Sequence, residues 1–286
     1  MGSGRVGSGL VGPGVTRIVL AVAALWMVGC SSEPPPFEGD QSSPEAVIAT
    51  AQRMVVEGRA DLLPSLIWDD GDANIRLLLD GMGQLFGTLH SLTGTLQEAF
   101  PSDIARVQRE ALEAAEEGKS SSRLAAFLTG QQRSAPSRLS ESDDPLNDFA
   151  QQLLSDPYGW LERNADRLGT QTITGRMVAL TWDERPVMPP IGVVLEQQDD
   201  GNWYISAPFR LPPVRRFLPE TDEETEIWLS LLAVINNALA DVEDDVESGQ
   251  IRSLERAAEE FGKKVIMPVA LVGFAIGKSI ENRSGD

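Results

Sequence analysis

The sequence predicts an α+β fold, mostly helical, with a small antiparallel β-meander covered by helices. Three observations predict it. Apolar residues step three and four apart over residues 75–99 and again over residues 228–246. Between those stretches, residues 173–206 change to a two-residue alternation with turn signals. The order is therefore helices, meander, helices, which segregates the two element types instead of interleaving them.

A first helix is expected from Pro44 to about Glu57. Ser43 offers a capping side chain, Pro44 suits the first helical position, Glu45 suits the positive helix end, and Gly58 can end the run. A short helix is expected over Asp61–Ile67. The next is the clearest: Ile75, Leu78, Met82, Leu85, Leu89, Leu92, Leu96 and Ala99 form one apolar seam, which Pro101 ends or bends. A charged helix over Ser102–Glu117 stops at Gly118, and a short one covers Ser122–Leu128. Residues 129–145, rich in Ser, Gln, Pro and Asp, are expected to form an exposed mobile loop. Helices over Pro145–Leu154 and Tyr158–Leu168 lead into the meander.

The expected strands are Ile173–Trp182, Ile191–Glu196 and Trp203–Ser206, with Asp200-Gly201 in the tight turn between the last two. Trp203 and Ile205 should share one face, and Tyr204 should point to the other. From Glu220 the chain reads as helix again. Trp228, Leu231, Ile235, Leu239, Val242 and Val246 make a second seam, broken at Gly249. A last helix is expected from about Gln250, kinked or divided at Pro268.

The charge balance is strongly acidic, 24 basic against 43 acidic residues in 286, for a net charge of −19. Such a chain repels phosphate backbones, so nucleic acid is not an expected partner. Its overall charge also opposes an electrostatic dock on anionic lipid. With a single cysteine no intrachain disulfide can form, and stability must come from packing.

That cysteine, Cys30, follows an uncharged apolar stretch, Ile18–Val28, and the residues before it include Arg5 and Arg17 but no acid. This is the charged n-region and short h-region of a secretory signal. The stretch is far below the roughly 20 apolar residues of a spanning helix. Met27-Val28-Gly29-Cys30 resembles the lipobox of bacterial lipoproteins. The resemblance implies that the Cys30 thiol receives a diacylglyceryl group, that cleavage falls before Cys30, and that the new N-terminus is acylated. It divides the chain into a signal peptide (1–29), a lipidated cysteine with a flexible tether (30–42), and a single folded domain (43–283). It implies a lipid-anchored, extracytoplasmic protein on the cell membrane or outer membrane, with the membrane as its first partner.

A second resemblance is shorter. Ser43-Pro44-Glu45-Ala46-Val47, then Gly58-Arg59-Ala60-Asp61, then a meander ending in Asp200-Gly201-Asn202-Trp203-Tyr204-Ile205, is similar to small secreted domains of the nuclear-transport-factor-2-like superfamily. It implies helices packed into a curved sheet, often around a pocket. Residues 72–168 and the C-terminal helices exceed that family's size, and no functional residue is carried over.

Few catalytic patterns are present. His90 is the only histidine, so no H-x-x-x-H pair exists, and a zinc site would need Asp and Glu beside it. There is no G-x-S-x-G elbow, P-loop or dinucleotide fingerprint. No cofactor, metal or catalytic residue is expected. A carboxylate-dependent glycosidase leaves no local motif and stays open.

Gly83, Gly87, His90 and Gly94 form a second stripe on the 75–99 helix. Three glycines there cost about 1 kcal/mol each against alanine, which points to close packing or to a pocket or groove with His90 as its polar contact. The C-terminal apolar helix, with Gly273 and Gly277, is the expected packing partner. Two acidic clusters, Glu220–Glu226 and Asp241–Glu247, read as solvated helix faces; the second could alternatively present Asp241, Asp244 and Asp245 to a cation, without an EF-hand pattern. Val265–Gly277 is uncharged and too short to span a bilayer. It is expected to be buried, with an interfacial or partner-binding helix as the alternative.

The leading expectation is a binding or envelope-structural lipoprotein with an unknown small-molecule ligand or envelope protein partner. The alternative is a carboxylate-dependent hydrolase of envelope glycan or lipid. A continuous exposed apolar patch favours the former. Facing carboxylates with separated pKa values favour the latter.

Overall fold

The structure, a computed structural model, describes residues 37–116, 150–151, 153–158, 167–187, 192–207, 209, 215 and 218–284. Cys30 with the expected signal segment 1–29, the helix expected over Ser122–Leu128, the loop expected over 129–145 and most of Tyr158–Leu168 lie outside these residues. Residues 39–286 form one compact unit and residues 1–38 a separate one; every element below belongs to the first.

The fold is α+β: long helices with one small antiparallel sheet. Helix α1 is Pro44–Val56, capped by the Ser43 hydroxyl oxygen, which accepts from the Ala46 N–H at 3.1 Å. Its end is a Schellman turn at Gly58, φ +73°, where the Arg59 N–H reaches back to the Met54 carbonyl at 2.6 Å. A 3₁₀ segment, Ala60–Leu66, follows. Helix α2, Ala73–Ala99, starts where the Asp72 carboxylate accepts from the Asn74 and Ile75 N–H groups at 2.9 and 3.3 Å. Helix α3 is Pro101–Glu116, with Pro101 at its start, where a missing N–H costs nothing.

Helix α4, Asp222–Glu247, opens on Thr221, whose hydroxyl accepts from the Glu224 N–H at 3.2 Å, with three acidic residues in its first turn. Helix α5 is Leu254–Ser284. It begins later than Gln250, because Ser253 and Asp103 supply its caps: Asp103 Oδ2 accepts from the Leu254 N–H at 3.3 Å and Ser253 Oγ from the Arg256 N–H at 3.2 Å. Pro268 does not divide α5; the helix runs on through it.

The sheet is a meander, β1 (Leu168–Thr174), β2 (Met177–Trp182), β3 (Arg185–Pro186), β4 (Val194–Gln197) and β5 (Trp203–Ser206), all pairs antiparallel. Its order is β1-β2-β4-β5, with β3 also on β2. The single strand expected over Ile173–Trp182 is two strands, turned at Gly175-Arg176. Polar Thr170, Gln171 and Thr172 lack the apolar alternation by which a strand is recognised, yet they pair with Leu180, Ala179 and Val178. Gly201, φ +86°, closes the β4–β5 hairpin: its N–H donates to the Gln198 carbonyl at 3.0 Å. Facing residues Val178, Leu195 and Ile205 share a face with Trp203, and the first two and Trp203 are buried. Tyr204 points the other way, its ring 5.2 Å from that of Trp68 and its hydroxyl donating to Asp200 at 2.9 Å. Outside β5, the Trp203 N–H bonds the Gln41 carbonyl at 2.7 Å, and the Trp68 N–H bonds that of Ile205 at 2.9 Å.

The main core sits among the helices. Leu89, Leu92 and Leu96 of α2, Ile104 of α3, Leu154, Leu239, Val242 and Val246 of α4, and Leu254, Ala257 and Ala258 of α5 form one buried cluster. The α2 and α4 seams meet there as their spacing requires. Truncating a fully buried leucine such as Leu92 or Leu239 costs about 2–5 kcal/mol.

Candidate functional site

The glycine stripe of α2 lies partly under the 3₁₀ segment. A Cβ on Gly83 would sit 2.5 Å from the Asp61 carbonyl oxygen, and one on Gly87 would be 3.4 Å from the Asp61 Cβ. Gly94 has open space. His90 covers the end of α1: its Nε2 would stand 3.1 Å from a Cβ on Gly58. Its ring lies 6.2 Å from that of Tyr158, whose hydroxyl donates to the Phe86 carbonyl at 2.9 Å. Burial pushes the Tyr158 phenol above its ordinary pKa, which keeps it a donor. The expected pairing of the stripe with the C-terminal helix is not formed. Gly273 and Gly277 meet nothing within 4 Å, and the early loop between α1 and α2 takes that place instead. The spacing marks the close approach without naming what approaches.

A cavity of about 540 Å³ opens at the start of α2, between Asp69–Asp72, Ile75, Arg215, Leu218, Pro219 and Glu220. Sequence reasoning did not single it out, although Asp69-Asp70-Gly71-Asp72 before a helix is a legible signal for a turn and cap. Its acids are engaged locally. The buried Asp69 carboxylate is paired with Arg76 and accepts from the Gly71 N–H at 3.0 Å, and Asp72 caps α2. Asp70 and Gly71 hold positive φ, 56° and 75°. Among the described residues, no group of three His, Cys, Asp or Glu side chains is placed to hold a metal ion.

The second acidic cluster joins helices. Glu243 accepts from the hydroxyls of Ser91 and Thr95 at 2.6 and 3.1 Å, and Lys264 reaches Asp241 and Asp245 at 3.2 and 3.5 Å. This ties α4 to α2 on one side and to α5 on the other. Asp183 is held below the usual carboxylate range by Arg167, Asp200 by the Asn202 N–H, and Glu259 by Lys263.

The segment Val265–Gly277 departs most from expectation. It is not buried: Ile266, Met267, Leu271 and Phe274 are 51%, 65%, 65% and 67% exposed. Beside it, α4 is the one helix among the described residues long and apolar enough to cross a membrane, by length and composition alone, with 22% of its most apolar window buried. No family model, curated protein or solved structure matches the chain.

Proposed function

We propose that this chain is an acyl-anchored, extracytoplasmic bacterial lipoprotein whose folded part works by docking and not by catalysis. The observation that carries the docking reading is the exposed apolar run on α5. Large exposed apolar patches mark interaction surfaces, since leaving them in water forfeits their hydrophobic stabilisation. Among the described residues, each carboxyl with a resolved shift lies below its ordinary pKa, which suits ion pairing and capping and not proton donation. The anchor rests on the Gly29-Cys30 pair behind Ile18–Val28.

Replacing Cys30 with Ser tests the anchor. In a bacterial host fed labelled palmitate, the parent should carry the label and sediment with membranes. The Cys30→Ser protein should lose the label and accumulate unprocessed or soluble. An undiminished label in the variant ends the proposal.

A further inference from the structure

We propose that the outer face of α5, from Ile266 to Phe274, inserts into a lipid bilayer, as a membrane contact separate from Cys30. The inference rests on the docking reading above and names what the face docks on.

The width of the face is the first argument. At about 100° per residue, Ile266, Met267, Val269, Ala270, Leu271, Gly273 and Phe274 cover more than half of the helix circumference, and all are exposed. Val265, Pro268, Val272, Ala275 and Ile276 are half-buried on the remaining arc. A helix that docks in a protein groove presents a narrower line of anchors three and four residues apart, with polar residues beside it. Here no polar residue interrupts the arc, and hydrocarbon is the surrounding that covers such a surface without gaps.

Charge is the second. In a chain of net charge −19, every charged residue of α5 between Glu260 and Glu281 is basic: Lys263, Lys264 and Lys278. They bracket the apolar run at both ends. Lys278 is exposed, its ammonium 5.3 Å from the Phe274 ring centroid. Lys263 pairs with Glu259 and Glu260, and Lys264 with Asp241 and Asp245, so Lys278 is the cation placed to lay its stem along the apolar surface and keep its charge among lipid headgroups. Val265–Gly277 spans about 20 Å as helix, less than the roughly 30 Å hydrocarbon core, so it does not cross; with its other arc half-buried on the protein, α5 lies along the interface and sinks only its outer face about 5–10 Å.

The test uses the full chain carrying Cys30→Ser, which removes both the acyl group and the only native thiol. Phe274→Cys, or Asp199→Cys on the β4–β5 hairpin, is then labelled with an environment-sensitive fluorophore. With phosphatidylethanolamine–phosphatidylglycerol vesicles, the probe at 274 should shift to the blue, brighten at least threefold and be quenched by spin-labelled lipid. The probe at 199 should not change. Adding Ile266→Asp and Leu271→Asp should weaken the vesicle response at 274 at least tenfold and leave the melting curve as in the parent, since both side chains face solvent. No response at 274 with vesicles overturns the proposal. So does a blue shift without vesicles that grows with protein concentration, which would make the face a contact between copies. Both outcomes leave the Cys30 reading standing, because the palmitate label decides that separately.

Discussion

At the scale of single residues, Gly83 and Gly94 separate what spacing alone makes equivalent. Both lie in α2, and both belong to one stripe. Gly83→Ala puts a methyl group against the Asp61 carbonyl oxygen, 2.5 Å away, where backbone must move. It should lower stability by about 1–3 kcal/mol, read as an earlier urea midpoint. Gly94→Ala meets nothing within 4 Å. It should raise stability by up to about 1 kcal/mol, the difference in helix propensity. Equal effects of the two would show that the stripe is not a packing surface. Sequence exposes the stripe because glycine is costly in a helix. It hides the difference because the covering atom belongs to Asp61, in an element whose position depends on the tertiary fold. His90 is similar: its solitude is legible, its seat over Gly58 is not.

At the scale of elements, the β2–β3 turn departs from local preference. Asp183 and Glu184 both hold positive φ, 49° and 64°, between the paired residues Trp182 and Arg185. Two-residue hairpins need this twist and usually take it from Asn or Gly. Asp183 has local support: its N–H bonds the Arg167 carbonyl at 3.0 Å, and the Arg167 guanidinium, 4.8 Å from the Trp182 ring centroid, pairs with its carboxylate. Glu184→Gly should therefore stabilise the protein by about 1 kcal/mol, seen as a higher melting midpoint, by relieving left-handed strain. The strands read correctly from sequence are those with apolar alternation facing the core, around Val178, Leu195 and Trp203. β1 escaped because its threonines and Gln171 carry no such alternation, and β3 because two residues make no pattern. The α2 and α4 seams were legible where the core enforces their period, at Leu89, Leu92, Leu96, Leu239, Val242 and Val246, while Ala99 at the end of the α2 seam is exposed. Val265–Gly277 was misread as core for the complementary reason: composition reports how apolar a segment is, and only the packed molecule reports whether anything covers it.

At the scale of the whole molecule, the helices–meander–helices order was legible, and the acidic surface sets the response to pH. Thr170 holds Glu45 below its ordinary pKa, as Arg167 does Asp183, the Asn202 N–H Asp200, and Lys263 Glu259. A carboxyl whose pKa is lower in the folded state favours folding above its unfolded value, near 4, and loses that contribution as pH falls through the folded value. Arg256 and Lys263 are raised by their pairing with Glu259. Their contributions are complete below their unfolded values and fade only as pH climbs through the folded ones, above about 10. The melting midpoint should thus stay level from about pH 9 to 5 and drop below about 4. A decline between pH 8 and 5 would show that other groups dominate.

The bonds that Gln41 and Trp68 make along β5 have a further consequence. A strand with a free row of N–H and C=O groups is a template on which another chain can add. Here the Trp203 N–H and the Ile205 carbonyl are already occupied, and at the opposite margin β1 slips register between Thr172 and Thr174. The ladder is blunted on both sides, so it offers little foothold for lateral growth into fibrils. A protein crowded at high local density could thus keep its sheet to itself and meet its surroundings through its helices.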